Sequence, residues 1–201
     1  MTRAHMPWPA HGTVDRLFDE ARALRDVEER VLDLLVDDGF AEVVVPLIEG
    51  QGVLALSSHD DAMRFVDRNG DLLGLRADFT APVARVVASR LWDTPDVRLC
   101  YRGTVFRDVD VQTGARRQQQ QAGFEHFGDG AVAEDIAAVR RAVRIARTLG
   151  LGDLVVSLGS AGVLQAVVKD AVPAVRRALD RRDLSALPEA MVPLARAVGR
   201  A

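Results

Sequence analysis

Apolar positions recur at helical spacing along residues 14–38: Val14, Leu17, Phe18, Ala21, Leu24, Val27, Val31, Leu34 and Leu35. That stripe predicts one long amphipathic helix, with Gly39 as its C-terminal stop. Ala41 to Val45 is a compact β-branched run closed by Pro46, which reads as a strand that ends there. Phe65-Val66-Asp67 and Asp71-Leu72-Leu73 flank Arg68-Asn69-Gly70, and the Asn-Gly step predicts a hairpin. Thr80-Ala81-Pro82 opens a helix to about Leu91, with Thr80 as candidate N-cap and Pro82 in the first turn, where a missing N–H does no harm.

Val97 to Arg107 reads as a strand, residues 108–116 as a polar loop and 118–127 as a returning strand. A helix is expected at about 131–149, stopped by Gly150, and then a strand from Leu154 to Leu158. Helices follow from Ala161 to Val168 and from Val172 to Leu179, and Asp183 to Val198 also reads as helical. The glutamines at 118–121 lie between structured segments, so they are strand residues and not a low-complexity tract. This order of elements predicts an α+β domain built on a mainly antiparallel sheet flanked by helices.

Composition changes the picture mainly by exclusion. Apolar residues make up 48% and charged residues 27% of 201 positions, with a formal net charge of −3. That balance suits one globular domain and gives no basic face for a nucleic-acid backbone. The arginine pairs Arg140-Arg141, Arg176-Arg177 and Arg181-Arg182 sit among helix formers and read as solvated faces. Cys100 is the only cysteine, so neither an internal disulfide nor a cysteine-based zinc site is expected, and a reducing cytoplasm fits best. Residues 1–11 carry no apolar core of a signal peptide, and no apolar run is long enough to span a membrane. His5, His11, His59 and His126 are scattered, which predicts no metal site, and Gly159-Ser160-Ala161-Gly162 lacks the lysine of a phosphate loop.

The segment 98–127 carries the candidate chemistry. If its two strands pair antiparallel around loop 108–116, Leu99, Tyr101, Gly103, Val105 and Arg107 share one face. Gln119, Gln121, Gly123, Glu125 and Phe127 share a face of the returning strand. Gly103 and Gly123 would open the floor of that face, ringed by arginine, glutamine and glutamate. Such a set can hold an amino acid, because Arg107 pairs with a carboxylate while Gln121 and Glu125 accept N–H donors. Asp78 and Thr80 add an acid and a hydroxyl on one side of an extended segment, a combination that suits an ammonium group. The alternative is a wet sheet face, with Asp78-Phe79-Thr80 serving only as a helix N-terminal cap.

These segments also carry a resemblance. Gly39-Phe40-Ala41-Glu42-Val43-Val44-Val45-Pro46-Leu47-Ile48-Glu49 resembles motif 1 of the histidyl-tRNA synthetase branch of class II synthetases. Leu75-Arg76-Ala77-Asp78-Phe79-Thr80-Ala81-Pro82-Val83-Ala84-Arg85 is similar to that branch's "LRPD-x-T-x-P-x-x-R" stretch. Tyr101 to Arg107, followed by Gln121 to Gly128, resembles its motif 2. The likeness runs from about residue 12 to 185. It implies a class II synthetase-like domain over 13–201, after an irregular N-terminal segment at 1–12, cut short before motif 3.

Within the branch, the sequence looks more like the regulatory subunit of ATP phosphoribosyltransferase than like the aminoacylating enzyme. Val109 stands where the enzymes place an ATP-positioning glutamate, and Ala115 stands at a basic loop position. Ser157 to Gly162 and Ala178 to Leu187 also resemble the regulatory paralogue. An end before motif 3 would remove the arginine that binds ATP, so the resemblance implies no catalytic residue, no cofactor and no amino-acid activation. The family's histidine contacts carry over to Asp78 (a glutamate in the enzymes), Thr80, Arg107, Gln121 and Glu125. The implied partners are L-histidine as effector, a short-form catalytic ATP phosphoribosyltransferase subunit, and a second copy joined through residues 14–45 within a hetero-oligomer. No nucleic acid or membrane partner is implied. Two alternatives stay open: a histidyl-tRNA synthetase-like catalytic core fragment, and a structural dimerisation module whose site has decayed.

Overall fold

The computed structural model describes residues 8–57 and 61–159. The chain divides into two compact units, Met1–Leu151 and Gly152–Ala201, and the description below concerns the first. The helices expected beyond residue 160 lie outside the described residues. Among the described residues, no helix is long and apolar enough to cross a membrane.

The first helix, α1 (Phe18–Asp37), starts four residues later than its apolar stripe suggests. Phe18 sits at φ +51°, a left-handed value that turns the chain before the first helical turn, and Leu17 offers no side-chain cap. Its C-terminus follows the glycine stop. Gly39, at φ +86°, donates to the Val36 carbonyl at 2.9 Å, and Phe40 N–H reaches back to Leu35 O at 3.0 Å. This paired reverse bonding needs a left-handed residue, which is why the helix ends at a glycine. Leu35 and Phe40 then pack together in the core.

The expected strand from Ala41 to Val45 is shorter: β1 is only Ala41–Glu42. It pairs parallel with β5 (Val97–Phe106), Ala41 opposite Leu99 and Glu42 opposite Cys100. The sheet is therefore mixed. β6 (Gln118–Phe127) runs antiparallel to β5 along its whole length. A second sheet has the order β2-β4-β3, all antiparallel, from Ile48–Gly50, Leu72–Leu75 and Arg64–Val66. The Asn-Gly hairpin forms between β3 and β4, with Asp67 accepting the backbone N–H groups of Asn69 and Asp71 at 2.8 and 2.9 Å. β2 and the short helix α2 (Gln51–Leu54) have no periodic signal in the sequence.

Helix α3 (Thr80–Arg90) packs on one face of β5, and α1 and α4 (Val132–Thr148) pack on the other. Odd residues of β5 (Val97, Leu99, Tyr101, Val105) join Phe79, Val83 and Val45 in one core. Even-numbered Cys100 joins Val31, Leu32, Leu35 and Phe40 in another. β5 is thus buried on both sides only around Leu99-Cys100-Tyr101, its apolar stretch, while Arg98 and Arg102 on the even face stay half-buried. The strand expected from Leu154 to Leu158 is absent: these residues form no ladder, and Val155 lies almost fully exposed. A strand exists only by pairing, and this run has no partner among the described residues.

Candidate functional site

The register of β5 and β6 decides which side chains meet. Tyr101 faces Gly123, Gly103 faces Gln121 and Leu99 faces Glu125. Directly opposed residues point to the same side of an antiparallel pair, so the odd positions of both strands share the α3 face. That is the face expected from alternation.

The two glycines do not leave an open floor there, and this corrects the sequence expectation. A Cβ on Gly103 would stand 2.7 Å from Arg76 Nη2 and 3.3 Å from Phe79 Cζ. A Cβ on Gly123 would stand 2.8 Å from the Tyr101 hydroxyl. The space is filled by the protein's own stack: the Arg76 guanidinium lies 4.1 Å over the Phe79 ring, and Phe79 stacks on Tyr101 at 4.3 Å. Alternation identifies which residues face one way. It does not show which neighbouring element sends side chains into the gap.

The five predicted residues occupy this region as follows. Thr80 opens α3 and donates its hydroxyl to Glu125 Oε1 at 2.7 Å. It is therefore not the cap of α3. Phe79 holds the N-cap position, and Asp78 before it supports the helix start: it is 6% exposed, its Oδ1 accepts the Ala81 N–H at 3.3 Å, and its Oδ2 accepts the Ser57 hydroxyl. Arg107 lies just past β5 and donates through Nε to the Ala77 carbonyl at 3.2 Å, one residue before Asp78. Gln121 stands opposite Gly103, with its Oε1 shielded from solvent and accepting no hydrogen bond among the described residues. Glu125 receives a second hydroxyl, from Tyr101, at 3.4 Å. Thr80 and Glu125 are thus in direct contact, and Arg107 and Asp78 both anchor the turn that delivers Thr80.

Three residues of this region were missed from sequence. Tyr101 had a usable signal: a loop centred at 112 opposes it to Gly123, and a glycine opposite a tyrosine marks a ring lying across the strand. Arg76 and Ser57 had none, since their roles come from contacts 21 to 31 residues away. The Tyr101 phenol is pushed well above its ordinary range by burial, then by the Glu125 carboxylate and its hydrogen bond, with Asp78 adding to it. It therefore stays protonated and donates.

Comparisons with known proteins give the family. The sequence profile of the family described as histidyl-tRNA synthetase matches residues 12–198. This chain belongs to the histidyl-tRNA synthetase family. An ATP phosphoribosyltransferase regulatory subunit from Moorella thermoacetica is 38% identical over 188 residues, 88% of this chain and 48% of that protein. One from Symbiobacterium thermophilum is 33% identical over 198 residues, 96% of this chain and 47% of that protein. The chain spans about half the length of the curated relatives it matches.

Among solved structures, an ATP phosphoribosyltransferase regulatory subunit/histidyl-tRNA synthetase from Bacillus halodurans superposes with a TM-score of 0.82 at 24% identity. That match covers 99% of this chain and 56% of the other. A histidine–tRNA ligase subunit from Alicyclobacillus acidocaldarius gives a TM-score of 0.69 at 26% identity, covering 100% of this chain and 58% of that one. The fold is that of the class II synthetases, with helices on a mixed sheet, so the α+β expectation holds.

Proposed function

We propose that this chain is the synthetase-like part of a non-catalytic regulatory subunit of ATP phosphoribosyltransferase, sensing L-histidine for feedback on the first step of histidine biosynthesis. The observation that carries the reading is the bare acceptor beside a braced carboxylate. Gln121 Oε1 is buried with no donor among the described residues, four residues before Glu125, whose Oε1 is held by the Thr80 hydroxyl at 2.7 Å. A buried acceptor left unpaired costs about 1–3 kcal/mol, and an ammonium group supplies the missing donor. In this reading Asp78, Thr80 and Gln121 take the amino group, Arg107 takes the carboxylate and Glu125 takes an imidazole N–H. The relatives named above support the assignment, since both are called regulatory subunits.

Feedback requires that histidine bind one conformation of the assembly better than another. Loop 108–116, at the end of the site strands, is the segment whose ordering would bias contact with a short-form catalytic subunit in the cytoplasm. A homodimer through residues 14–45 is part of the same reading. Its support is exposed apolar surface, with Leu17, Phe18, Val27 and Val44 all open to solvent. A monomeric mass in light scattering at micromolar concentration would count against it.

The test is isothermal titration with L-histidine, with Glu125→Ala as control. Saturable binding that the variant loses supports the sensor. No binding up to millimolar histidine rejects it and leaves a structural dimerisation module. A second reading, a synthetase-like catalytic core, draws on the matching profile being that of the synthetase. It requires histidine-dependent ATP–pyrophosphate exchange that Arg107→Ala abolishes.

A further inference from the structure

We infer that Tyr101 is the positioning residue for the Glu125 carboxylate, and that Gly103 and Gly123 serve the side-chain stack that holds Tyr101 rather than the ligand. The inference rests on Glu125 being the specificity element of the site proposed above, and it assigns the mechanism of that specificity.

The stack has three layers. Arg76, 6% exposed, is fixed by donating to Thr104 O and Val45 O, each at 2.8 Å, and its guanidinium caps the Phe79 ring. Phe79, 1% exposed, lies nearly parallel to Tyr101, with 6° between the ring planes. Tyr101 in turn reaches the carboxylate with its hydroxyl at 3.4 Å. Each outer layer occupies space that a β-carbon would deny it. A methyl at 103 would press on Arg76 Nη2, and one at 123 on the Tyr101 hydroxyl and the ring atoms beside it, at 3.0 and 3.1 Å. Gly103 also sits at φ +147°, so a side chain there is strained as well as crowded.

Both hydroxyls that touch Glu125, those of Thr80 and Tyr101, donate to the same oxygen, Oε1. Oε2 receives no hydrogen bond among the described residues. One carboxylate oxygen is therefore committed to the protein and the other is left to a ligand, in a fixed direction. A carboxylate presented this way turns its free oxygen to an N–H donor, which suits an imidazole N–H and disfavours a ligand end that offers only acceptors.

Tyr101 is the only tyrosine in the chain, so tyrosine labelled at Cζ gives one carbon resonance. In the unliganded chain that resonance is expected to move in Glu125→Gln, where the hydroxyl loses its charged acceptor. Tyr101→Phe keeps the ring stack, so its thermal midpoint should stay close to that of the parent. Its histidine affinity should fall about tenfold, the worth of one hydrogen bond to a charged group. Gly123→Ala, which displaces the ring, should lower affinity similarly. A resonance that Glu125→Gln leaves unmoved, or a Tyr101→Phe chain that binds histidine like the parent, would overturn the inference. If the parent chain binds no histidine, the sensor reading fails separately, and the resonance still decides whether Tyr101 and Glu125 are coupled.

Discussion

Arg76→Met tests the argument that a buried guanidinium ties the two sheets together. Arg76 follows β4 and bonds in two directions. Its backbone N–H donates to Leu47 O at 2.9 Å, and its carbonyl accepts from Phe106 N–H at 2.9 Å. Its side chain repeats the pattern, with Nη1 on Val45 O and Nε on Thr104 O. Methionine keeps most of the aliphatic volume and removes every donor. Stripping two carbonyls of a charged donor costs about 1–3 kcal/mol each, and losing the cation–π contact with Phe79 costs about 1 kcal/mol more. Against that stands the desolvation of the guanidinium, which is large enough to pull its pKa below the usual arginine value and is relieved by the substitution. The balance is a loss of about 3 kcal/mol. With a urea slope of about 2 kcal/mol/M, the unfolding midpoint should fall by about 1.5 M. Near-ultraviolet circular dichroism is the suitable probe, because Tyr101 stacks on the ring that Arg76 covers. A loss below about 1 kcal/mol with an unchanged slope would refute the claim that this side chain clamps the sheets.

Other outcomes follow from the same structure. Leu35→Ala, at a fully buried position between α1 and β5, should cost about 2–5 kcal/mol in the same assay, and a cost under 1 would mean the core collapses around the gap. Cys100 is fully buried, and burial, followed by the Glu42 carboxylate, pushes its thiol above the ordinary value. A thiol-reactive disulfide reagent should therefore label the native chain far more slowly than the unfolded one, and equal rates would contradict the burial. The Asp38 carboxyl is held below the usual range chiefly by the hydrogen bond from Arg144, against burial, with Arg141 assisting. Because its folded pKa lies below the unfolded one, its contribution is present above about pH 4 and lost as pH falls through the folded value. Stability should therefore drop more gently with acid in Asp38→Asn than in the parent, and identical slopes would exclude this pair as a source of acid sensitivity.

Several parts of this fold were readable because their causes are local. The glycine stops at 39 and 150, the Asn-Gly hairpin and the β5–loop–β6 unit each depend on residues within one or two turns of chain. The start of α1 was not readable, since the apolar stripe continues back through Val14 and Leu17, which lie exposed and outside the helix. β1 was overestimated for a similar reason: β-branched residues favour extension, but a ladder needs a partner, and only Ala41–Glu42 lie against β5. The run at 154–158 has strand composition and no ladder at all. At the site, alternation put Gln121 and Glu125 on one face of β6, as its register with β5 has them, yet it gave the wrong content for the gap beside them.

The sequence by itself determined the class of fold, the residues that share the site face and the family to which the chain belongs, because period, turn chemistry and motif order are written locally. Tertiary structure alone decided which of those residues touch. Thr80 meets Glu125 across 45 positions, and Arg76 meets Val45 and Thr104 across 31 and 28. Such contacts depend on how α3 and the second sheet pack against β5, and packing is a property of the whole assembly of elements. That is why two glycines that look from sequence like room for a ligand prove to be room for arginine, phenylalanine and tyrosine.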